Sequence, residues 1–220
     1  MKLHSPFLLA ALLASGAAQA ALYDRGGGLI YDDVLNVTWL QDANYAKTSG
    51  YDATGVMTWY EAMTWVSNLD LDGITGWRLP NTIQPDPSCS NQYAGGEGYG
   101  SNCTASELGY MFYSNLGGLA DQPIQTTHNT NFDLFQNIQS EFYWSQTEYT
   151  EYSVNVAWNV YMGNGYQYAD YKFEPNSRFA WAVHDGDVAA VPEPKSYAMF
   201  LAGLGVMAWR LSKFKDPLNT

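Results

Sequence analysis

The chain has 220 residues, which is room for one domain of ordinary size and short targeting segments. Hydrophobic residues make up 46% and aromatic residues 15% of it, so the chain can fill a core and wholesale disorder is excluded. Between Ala21 and Ala190 five basic residues stand against twenty acidic ones, a difference of −15. Such a surface repels the phosphates of nucleic acids, whereas it is compatible with cations, with neutral sugars or simply with solvation of an exported protein.

The first 20 residues predict a secretory signal peptide. Lys2 and His4 precede an apolar run from Phe7 to Ala14, and Ala18-Gln19-Ala20 places small residues at the two positions that signal peptidase reads. Because the run is too short to span a membrane, we expect signal peptidase to cleave after Ala20.

The start of the exported chain predicts a hairpin followed by a helix. Leu29-Ile30-Tyr31 and Val37-Thr38-Trp39-Leu40 are β-prone runs separated by a turn. Thr58 and Glu61 form a capping box, in which hydroxyl and carboxylate satisfy free amide donors. Apolar residues then recur at helical spacing and predict one buried face, made of Trp59, Ala62, Met63, Val66 and Leu69.

The helix is expected to end at Asp70-Leu71-Asp72-Gly73. Asp70 and Asp72 offer oxygen ligands of the kind that calcium prefers, but the loop lacks the further ligands of an EF-hand. A solvated helix end is therefore favoured over a calcium site, and we expect neither a metal nor another cofactor.

A short strand and a long loop follow. Gly76 to Asn81 predicts a strand stopped by Pro80, in which Arg78 is expected to pair with a carboxylate or to cap a helix. From Thr82 to Asn102 periodicity disappears, and long ordered loops often carry function. Cys89 and Cys103 are the only cysteines, so in an exported protein we expect a disulfide that closes this loop; two cysteines without nearby histidines do not predict a zinc site.

The second half predicts one more helix and then a sheet. Ser106 to Leu116 has helical spacing and a Gly117-Gly118 stop. We expect Leu108, Met111, Phe112 and Leu116 to be buried. A polar loop follows, and its His128 is interpreted as solvated. Three stretches then predict strands anchored by Trp144, Trp158 and Trp181, namely Phe142–Ser145, Val154–Tyr161 and Ala180–Gly186.

Tyrosines are dense in this predicted sheet, and Gly163-Asn164-Gly165 is a strong hairpin-turn signal between two of its strands. Aromatic rings beside amides and carboxylates are the ingredients of a sugar-binding platform. The candidate ligand contacts are Tyr149, Tyr152, Tyr166 and Tyr168. The alternative is that these tyrosines only fill strands, where aromatic residues are favoured.

The C-terminal segment has a different character. Pro192-Glu193-Pro194 precedes an uncharged run from Ser196 to Trp209, which as a helix covers about 21 Å. Basic residues follow it and fix that end on the cytoplasmic side. We expect a sorting signal over 191–215 with a short transmembrane helix over 196–212, as a transient anchor that is later removed.

This three-part segment closely resembles the PEP-CTERM sorting signal of Gram-negative bacteria, with Pro192, Glu193 and Pro194 as the motif. The resemblance implies recognition by an exosortase in the inner membrane and cleavage near the motif. Delivery to the cell surface or to an exopolysaccharide or biofilm matrix would follow.

The body, taken as 21–190, resembles the Lcl C-terminal domain family, which is named after a bacterial collagen-like adhesin. The matching pieces are Val37-Thr38-Trp39-Leu40, Gly76-Trp77-Arg78-Leu79-Pro80, Tyr143-Trp144-Ser145 and Ala180-Trp181-Ala182-Val183. The resemblance implies an α+β fold with a small antiparallel sheet, two main helices and long loops, similar to C-type lectins and to the formylglycine-generating enzyme. The family usually has arginine where this chain has His184. The adhesin type binds sulfated glycans, and the charge of −15 argues against carrying that ligand over.

The sequence is compatible with three functions. The first is a non-catalytic surface or matrix protein that binds carbohydrate through sheet tyrosines and the Cys89–Cys103 loop. The second is a purely structural matrix component. The third is a glycosidase-type enzyme with paired carboxylates, such as Glu141 with Glu148 or Asp170 with Glu174. The chain has no nucleophile elbow, phosphate loop or His-Glu-x-x-His motif, so no catalytic residues are assigned.

Overall fold

The computed structural model describes residues 21–188 and, beyond them, residues 204, 207 and 210. The helices are α1 (Tyr45–Thr48), α2 (Trp59–Ser67) and α3 (Glu107–Tyr110), with a π-helical turn at Met111–Asn115 and a 3₁₀ turn at Thr130–Leu134. The strands are β1 (Leu22–Gly26), β2 (Leu29–Asp32), β3 (Val37–Leu40), β4 (Val56–Met57), β5 (Asn91–Gln92), β6 (Gly98–Tyr99), β7 (Phe142–Glu148), β8 (Val156–Tyr161), β9 (Tyr166–Tyr171), β10 (Arg178–Phe179) and β11 (Val183–Asp185).

These strands form two sheets and a small ribbon. The first sheet has the order β1-β2-β3-β11, the second has the order β4-β10-β7-β8-β9, and β5 pairs with β6. Pairing between the named strands is antiparallel except between β10 and β7. The predicted α+β class with antiparallel sheet and long loops is confirmed.

The stretch Ala180–Gly186 does not join the strands that precede it. Its strand β11 pairs with β3, so Val183 lies opposite Trp39 and closes the N-terminal sheet. The predicted single sheet is therefore divided in two. The local sequence could not indicate this, because the partners are more than 140 residues apart and strand pairing over that distance has no local signal.

Helix α2 forms as its capping box predicts. The Thr58 hydroxyl accepts from the Glu61 amide at 3.3 Å, and the Glu61 carboxylate accepts from the Thr58 amide at 2.9 Å. The predicted face is confirmed except for one position, since Met63 is only partly buried and Trp65 is buried.

The second predicted helix is shorter and changes its winding. Helix α3 covers one turn, and the amide of Leu116 then bonds to the Met111 carbonyl at 2.9 Å in a wider turn. All four residues predicted to be buried are buried. The wider turn places the buried amide of Asn115 2.6 Å from the Asp32 carboxylate, so this segment is tied to the first sheet.

The prediction of a strand over Gly76–Asn81 is wrong, because this segment forms only an isolated bridge. Only Arg78 makes strand-like bonds, through two backbone hydrogen bonds of 2.9 Å to Val183. Its guanidinium pairs with Glu107 at 2.8 Å and Asp185 at 2.6 Å, as expected of an arginine that pairs with carboxylates.

The core is dominated by four fully buried tryptophans, Trp39, Trp144, Trp158 and Trp181. Trp181 lies 5.0 Å from Trp39 and 5.2 Å from Phe135 between ring centroids, in edge-on geometry. Its indole N–H donates to the Leu40 carbonyl at 2.7 Å, so this donor stays paired on burial, whereas Trp39 Nε1 has no partner among the described residues. The three tryptophans predicted as anchors are confirmed.

The targeting segments lie outside the described residues. This holds for the predicted signal peptide at 1–20, for Pro192-Glu193-Pro194 and for the predicted membrane helix at 196–212 apart from the helical positions 204, 207 and 210. Within the described part of the chain, no helix combines the length and apolar character needed to traverse a bilayer.

Candidate functional site

A disulfide-closed loop covers part of the outer edge of the second sheet. Cys89 and Cys103 are bonded as predicted, and the loop between them contains the ribbon of β5 and β6. Gly100 exchanges two backbone hydrogen bonds with Gln167 of the edge strand β9, at 3.0 and 2.8 Å. The fully buried Gln167 side chain also donates to the Gly98 carbonyl at 2.9 Å. The loop is therefore fixed to the sheet at several points.

Close packing inside the loop requires small residues and a buried carboxylate. A Cβ at Gly98 would collide with the Asp86 carbonyl and with Cys89 Sγ. The Asp86 carboxylate accepts from the Ser88 amide at 3.0 Å and from the Ala105 amide at 3.1 Å. These bonds join the two ends of the loop beside the disulfide.

The loop contributes two tyrosines to a row of rings. Tyr93 and Tyr99 stack on each other at 4.1 Å between centroids. The row continues from Tyr93 to Tyr149 at 5.6 Å and from Tyr149 to Tyr152 at 6.1 Å, with interplanar angles near 20°. Tyr149 in turn rests on the buried Trp158 at 4.8 Å. Two of the predicted contact residues, Tyr149 and Tyr152, thus belong to an aromatic surface anchored on the core.

The other two predicted contacts lie on the opposite face of the sheet. Successive side chains of a strand point to opposite faces, so Tyr166 and Tyr168 of β9 share one face with Asp170, while Ala169 and Tyr171 lie on the other. The rings of Tyr166 and Tyr168 are 4.4 Å apart. The four predicted tyrosines therefore flank the edge strand β9 on both of its faces.

Three tyrosines of this surface are not among the four candidate contacts, although Tyr171 is one of the dense tyrosines of the predicted sheet. Tyr93 and Tyr99 lie in the Cys89–Cys103 loop, which was predicted as a contact region only as a whole. Tyr171 could have been found from the alternation along β9. That Tyr93 meets Tyr149 depends on how the loop folds back, for which the sequence has no signal.

Two cavities flank β9. The first, the Tyr152 cavity, has a volume of about 510 Å³ and is lined by Tyr93, Tyr149, Tyr152, Val156, Ala169, Asp170 and Tyr171. The second, the Arg178 cavity, has about 320 Å³ and is lined by Phe142, Tyr161, Asn164, Tyr168, Asp170 and Arg178. In the second cavity Arg178 is already engaged, since it pairs with Asp170 at 3.1 Å and lies 4.5 Å from the Phe142 ring centroid.

The surroundings favour the neutral form of three phenols at the Tyr152 cavity, those of Tyr93, Tyr149 and Tyr171, by raising their pKa. Partial burial, helped by the nearby charge of Glu97, raises the pKa of Tyr149. Burial likewise raises the pKa of Tyr93, and a hydrogen bond with Tyr152 raises the pKa of Tyr171. These hydroxyls are therefore available as hydrogen-bond donors and acceptors at neutral pH.

Three of the four carboxylates considered for catalysis are engaged by other groups. Glu141 precedes β7 and Glu148 ends this strand, which has a register shift between Trp144 and Glu148. Glu148 also pairs with the buried Lys172 at 3.0 Å. Asp170 pairs with Arg178, and Glu174 accepts from the Ser177 hydroxyl at 2.7 Å.

The potential metal ligands are also engaged. In residues 21–188 one cluster of three such side chains occurs, formed by Asp86, Cys89 and Cys103. Its two sulfurs are bonded to each other and offer no thiolate. Asp70 accepts from the Gly73 amide at 2.7 Å, which is the arrangement of an ordinary turn.

Comparison with known proteins gives two family matches. The model of the Lcl C-terminal domain matches residues 28–184, and the model of the PEP-CTERM protein-sorting motif matches residues 190–213. No curated protein and no solved structure matches the chain. The likeness to C-type lectins or to the formylglycine-generating enzyme therefore stays a prediction.

Proposed function

The chain belongs to the Lcl C-terminal domain family and carries the sorting motif of exosortase-sorted exported proteins, and on this premise we propose that it is a non-catalytic surface or matrix protein that binds polysaccharide. Its place of action is the cell surface or the extracellular matrix, as the sorting motif implies. Exosortase is its processing partner. Transient anchoring in the inner membrane and association with a biofilm matrix are part of the proposal.

The observation that carries this proposal is the aromatic surface beside β9. Tyr93 and Tyr149 arrive from different parts of the chain and meet at 5.6 Å, next to a cavity that Tyr152 and Tyr171 also line. Ring faces pack on the apolar faces of sugars, while phenol, amide and carboxylate groups hydrogen-bond to the hydroxyls. Contiguous exposed apolar surface of this kind often marks a binding site.

The anchoring of the surface supports binding rather than mere filling of strands. The disulfide and the bonds between Gly100 and Gln167 hold the loop in place before any ligand arrives. A preorganised site loses less conformational entropy on binding. If the tyrosines only filled strands, no separate stapled loop would be needed to bring Tyr93 onto Tyr149.

The placement of the carboxylates supports a role without catalysis. Glycosidases need two carboxyl groups about 5 to 10 Å apart. Glu148 is engaged by Lys172 and Asp170 by Arg178, so neither proposed pair keeps both of its carboxylates free.

A glycan-array screen of the purified full-length protein tests the proposal, run with and without a calcium chelator. We expect reproducible binding to one class of polysaccharide, lost in the double variant Tyr149→Ala/Tyr152→Ala. Tyr51→Ala is the matched control, because Tyr51 is also exposed, at 53%, and is remote in the chain from the aromatic surface.

Two results would contradict the proposal. Silence of the array, including against the polysaccharide of the source organism, would favour a purely structural matrix component. Release of shortened sugar chains by the wild type, lost in a Glu141→Ala or Asp170→Ala variant that still binds, would favour an enzyme.

A further inference from the structure

The outer edge of β9 is covered along only part of its length. The backbone N–H and the backbone carbonyl of Gln167 both point outward and bond to Gly100. Because the direction of these groups alternates along a strand, the peptide groups of Ala169 and Tyr171 also point outward, while those of Tyr168 and Asp170 point to β8. Within residues 21–188, no hydrogen bond reaches the outward groups of Ala169 or Tyr171.

Aromatic rings frame this open segment. Tyr171 is 45% exposed, and Tyr152 beside it is 68% exposed. Both line the Tyr152 cavity together with Ala169 and Tyr93. The open peptide groups and the stacking surfaces thus belong to one cavity of about 510 Å³, within the usual range for ligand sites.

The open edge is too short for a strand-like partner. Only two outward-facing residues are free, which is a length of about 7 Å. Gly100 closes one end, and at the other end the Lys172 carbonyl is bonded to the Trp59 amide at 3.0 Å. An added peptide strand would gain few backbone bonds here, whereas a sugar ring needs only a few donors and acceptors beside an aromatic face.

The surrounding charge decides which sugars fit. None of the residues that line the Tyr152 cavity is basic. Glu97 and Glu151 line the adjacent cavity, which shares Tyr149 with this one, and their charges raise the pKa of Tyr149 beyond the effect of its partial burial. Four of the five basic residues in 21–188 form ion pairs, namely Arg25, Arg78, Lys172 and Arg178. No cation at the cavity is therefore free to receive a uronate or sulfate group.

We infer that the ligand is an uncharged polysaccharide whose hydroxyls hydrogen-bond to the open peptide groups of Ala169 and Tyr171, with its ring faces on Tyr152 and Tyr171. This inference rests on the proposed function and narrows it to neutral chains at one site. Anionic chains, sulfated ones included, are excluded by repulsion from Glu97 and Glu151.

The inference is tested by equilibrium binding of the full-length protein to three panels of soluble polymers. The first panel holds neutral glucans, galactans and mannans, the second holds uronic-acid polymers, and the third holds sulfated polymers. We expect binding within the neutral panel alone. Its affinity should change less than twofold between about 0.05 and 0.5 M salt, because no charged contact is involved.

Variants locate the contact. Ala169→Pro removes the outward N–H and should weaken neutral binding about three- to tenfold, the effect of one lost hydrogen bond. Ala169→Ser keeps the N–H and should bind as the wild type does. Proline with its ring nitrogen at an open edge is compatible with a strand, and urea unfolding checks that the variant is folded.

A second variant does not depend on that proline. Glu97→Gln/Glu151→Gln should leave neutral binding unchanged and allow weak binding of uronic-acid polymers. If Ala169→Pro fails to fold, this charge test decides the class of ligand.

The outcomes separate the inference from the proposed function. Preferential, salt-sensitive binding of anionic polymers would overturn the inference and leave polysaccharide binding standing. Neutral binding that Ala169→Pro leaves intact would overturn the placement at the edge. Binding of extended peptides that Ala169→Pro abolishes, without competition from sugars, would assign the edge to a protein partner. Silence of all panels would overturn both.

Discussion

The core around the first sheet and the outer edge of β9 use aromatic residues in opposite ways. Trp39, Trp181 and Tyr143 are fully buried and pack on one another. Tyr152, Tyr168 and Tyr171 are exposed by 42% or more. Both regions are rich in rings, so aromatic content alone does not tell a core from a binding surface.

The difference lies in how the polar groups of the rings are used. Inside, the Trp181 N–H donates to the Leu40 carbonyl, and the Tyr143 hydroxyl accepts from the Gln139 amide at 2.9 Å. At the edge of β9, Tyr152 and Tyr171 are exposed to solvent by 68% and 45%. Buried rings therefore stabilise the fold, whereas the exposed rings retain bonding capacity for a ligand.

The largest expected effect is at the centre of the core. Trp181→Ala should lower the free energy of unfolding by about 4 kcal/mol, because it removes a fully buried indole and leaves a cavity among its ring partners. Urea unfolding measures it. Tyr152→Ala is the contrast and should change stability by less than about 0.5 kcal/mol; a similar loss in both variants would break the distinction between the two regions.

The next largest effect is expected at Arg78, which joins α3 to β11 through Glu107 and Asp185. Burial would lower the pKa of Arg78, but its bonds to Glu107 and Asp185 outweigh this and raise it. Arg78→Met should cost about 3 kcal/mol, since it leaves the mostly buried Glu107 without its partner. Arg25→Met is the matched control, because the Arg25–Asp187 pair is more exposed and should contribute less than about 1 kcal/mol.

Removing the disulfide should affect stability and binding together. Cys89→Ser/Cys103→Ser should lower the free energy of unfolding by about 2 to 3 kcal/mol, because the unfolded chain gains entropy when the loop is no longer closed. Binding to polysaccharide should fall at least about tenfold, because Tyr93 and Tyr99 lose their fixed position. Tyr93→Ala should reduce binding without the loss of stability. Unchanged binding by the disulfide variant would show that the loop is not part of the site.

The smallest effect concerns alkaline pH. Burial raises the pKa of Tyr143, so the folded state holds its proton more tightly than the unfolded state does. The resulting stability is complete below about pH 10, the ordinary value, and is lost as pH rises towards the folded value. Tyr143→Phe should therefore lose less stability between about pH 8 and pH 10.5 than the wild type. Equal losses, measured by urea unfolding at both pH values, would contradict a buried neutral phenol.

Local patterns predicted the parts of the fold that depend on near neighbours. The capping box at Thr58 and Glu61, the buried faces of the two helices and the Cys89–Cys103 bond all follow from residues within a few turns or from the number of cysteines. Pairing over long distances has no such signal. For that reason Gly76–Asn81 was predicted as a strand, although it makes a single bridge, and β11 was assigned to the wrong sheet.

The candidate site was predicted by composition and only partly by position. Tyr149 and Tyr152 were named and lie together. Tyr166 and Tyr168 were named with them, although the alternation along β9 places them on the other face. Tyr93 and Tyr99 reach the site only through the fold of the disulfide loop, which no periodicity in that loop reveals.

The most direct test is a titration of the full-length protein with the strongest polysaccharide from the array, compared between the wild type and Tyr149→Ala/Tyr152→Ala. Loss of two stacking rings, each worth about 1 kcal/mol, predicts at least a roughly tenfold weaker affinity, with an unfolding free energy that changes by less than about 1 kcal/mol. Equal affinity in a folded double variant would contradict the assignment of this aromatic surface as the binding site.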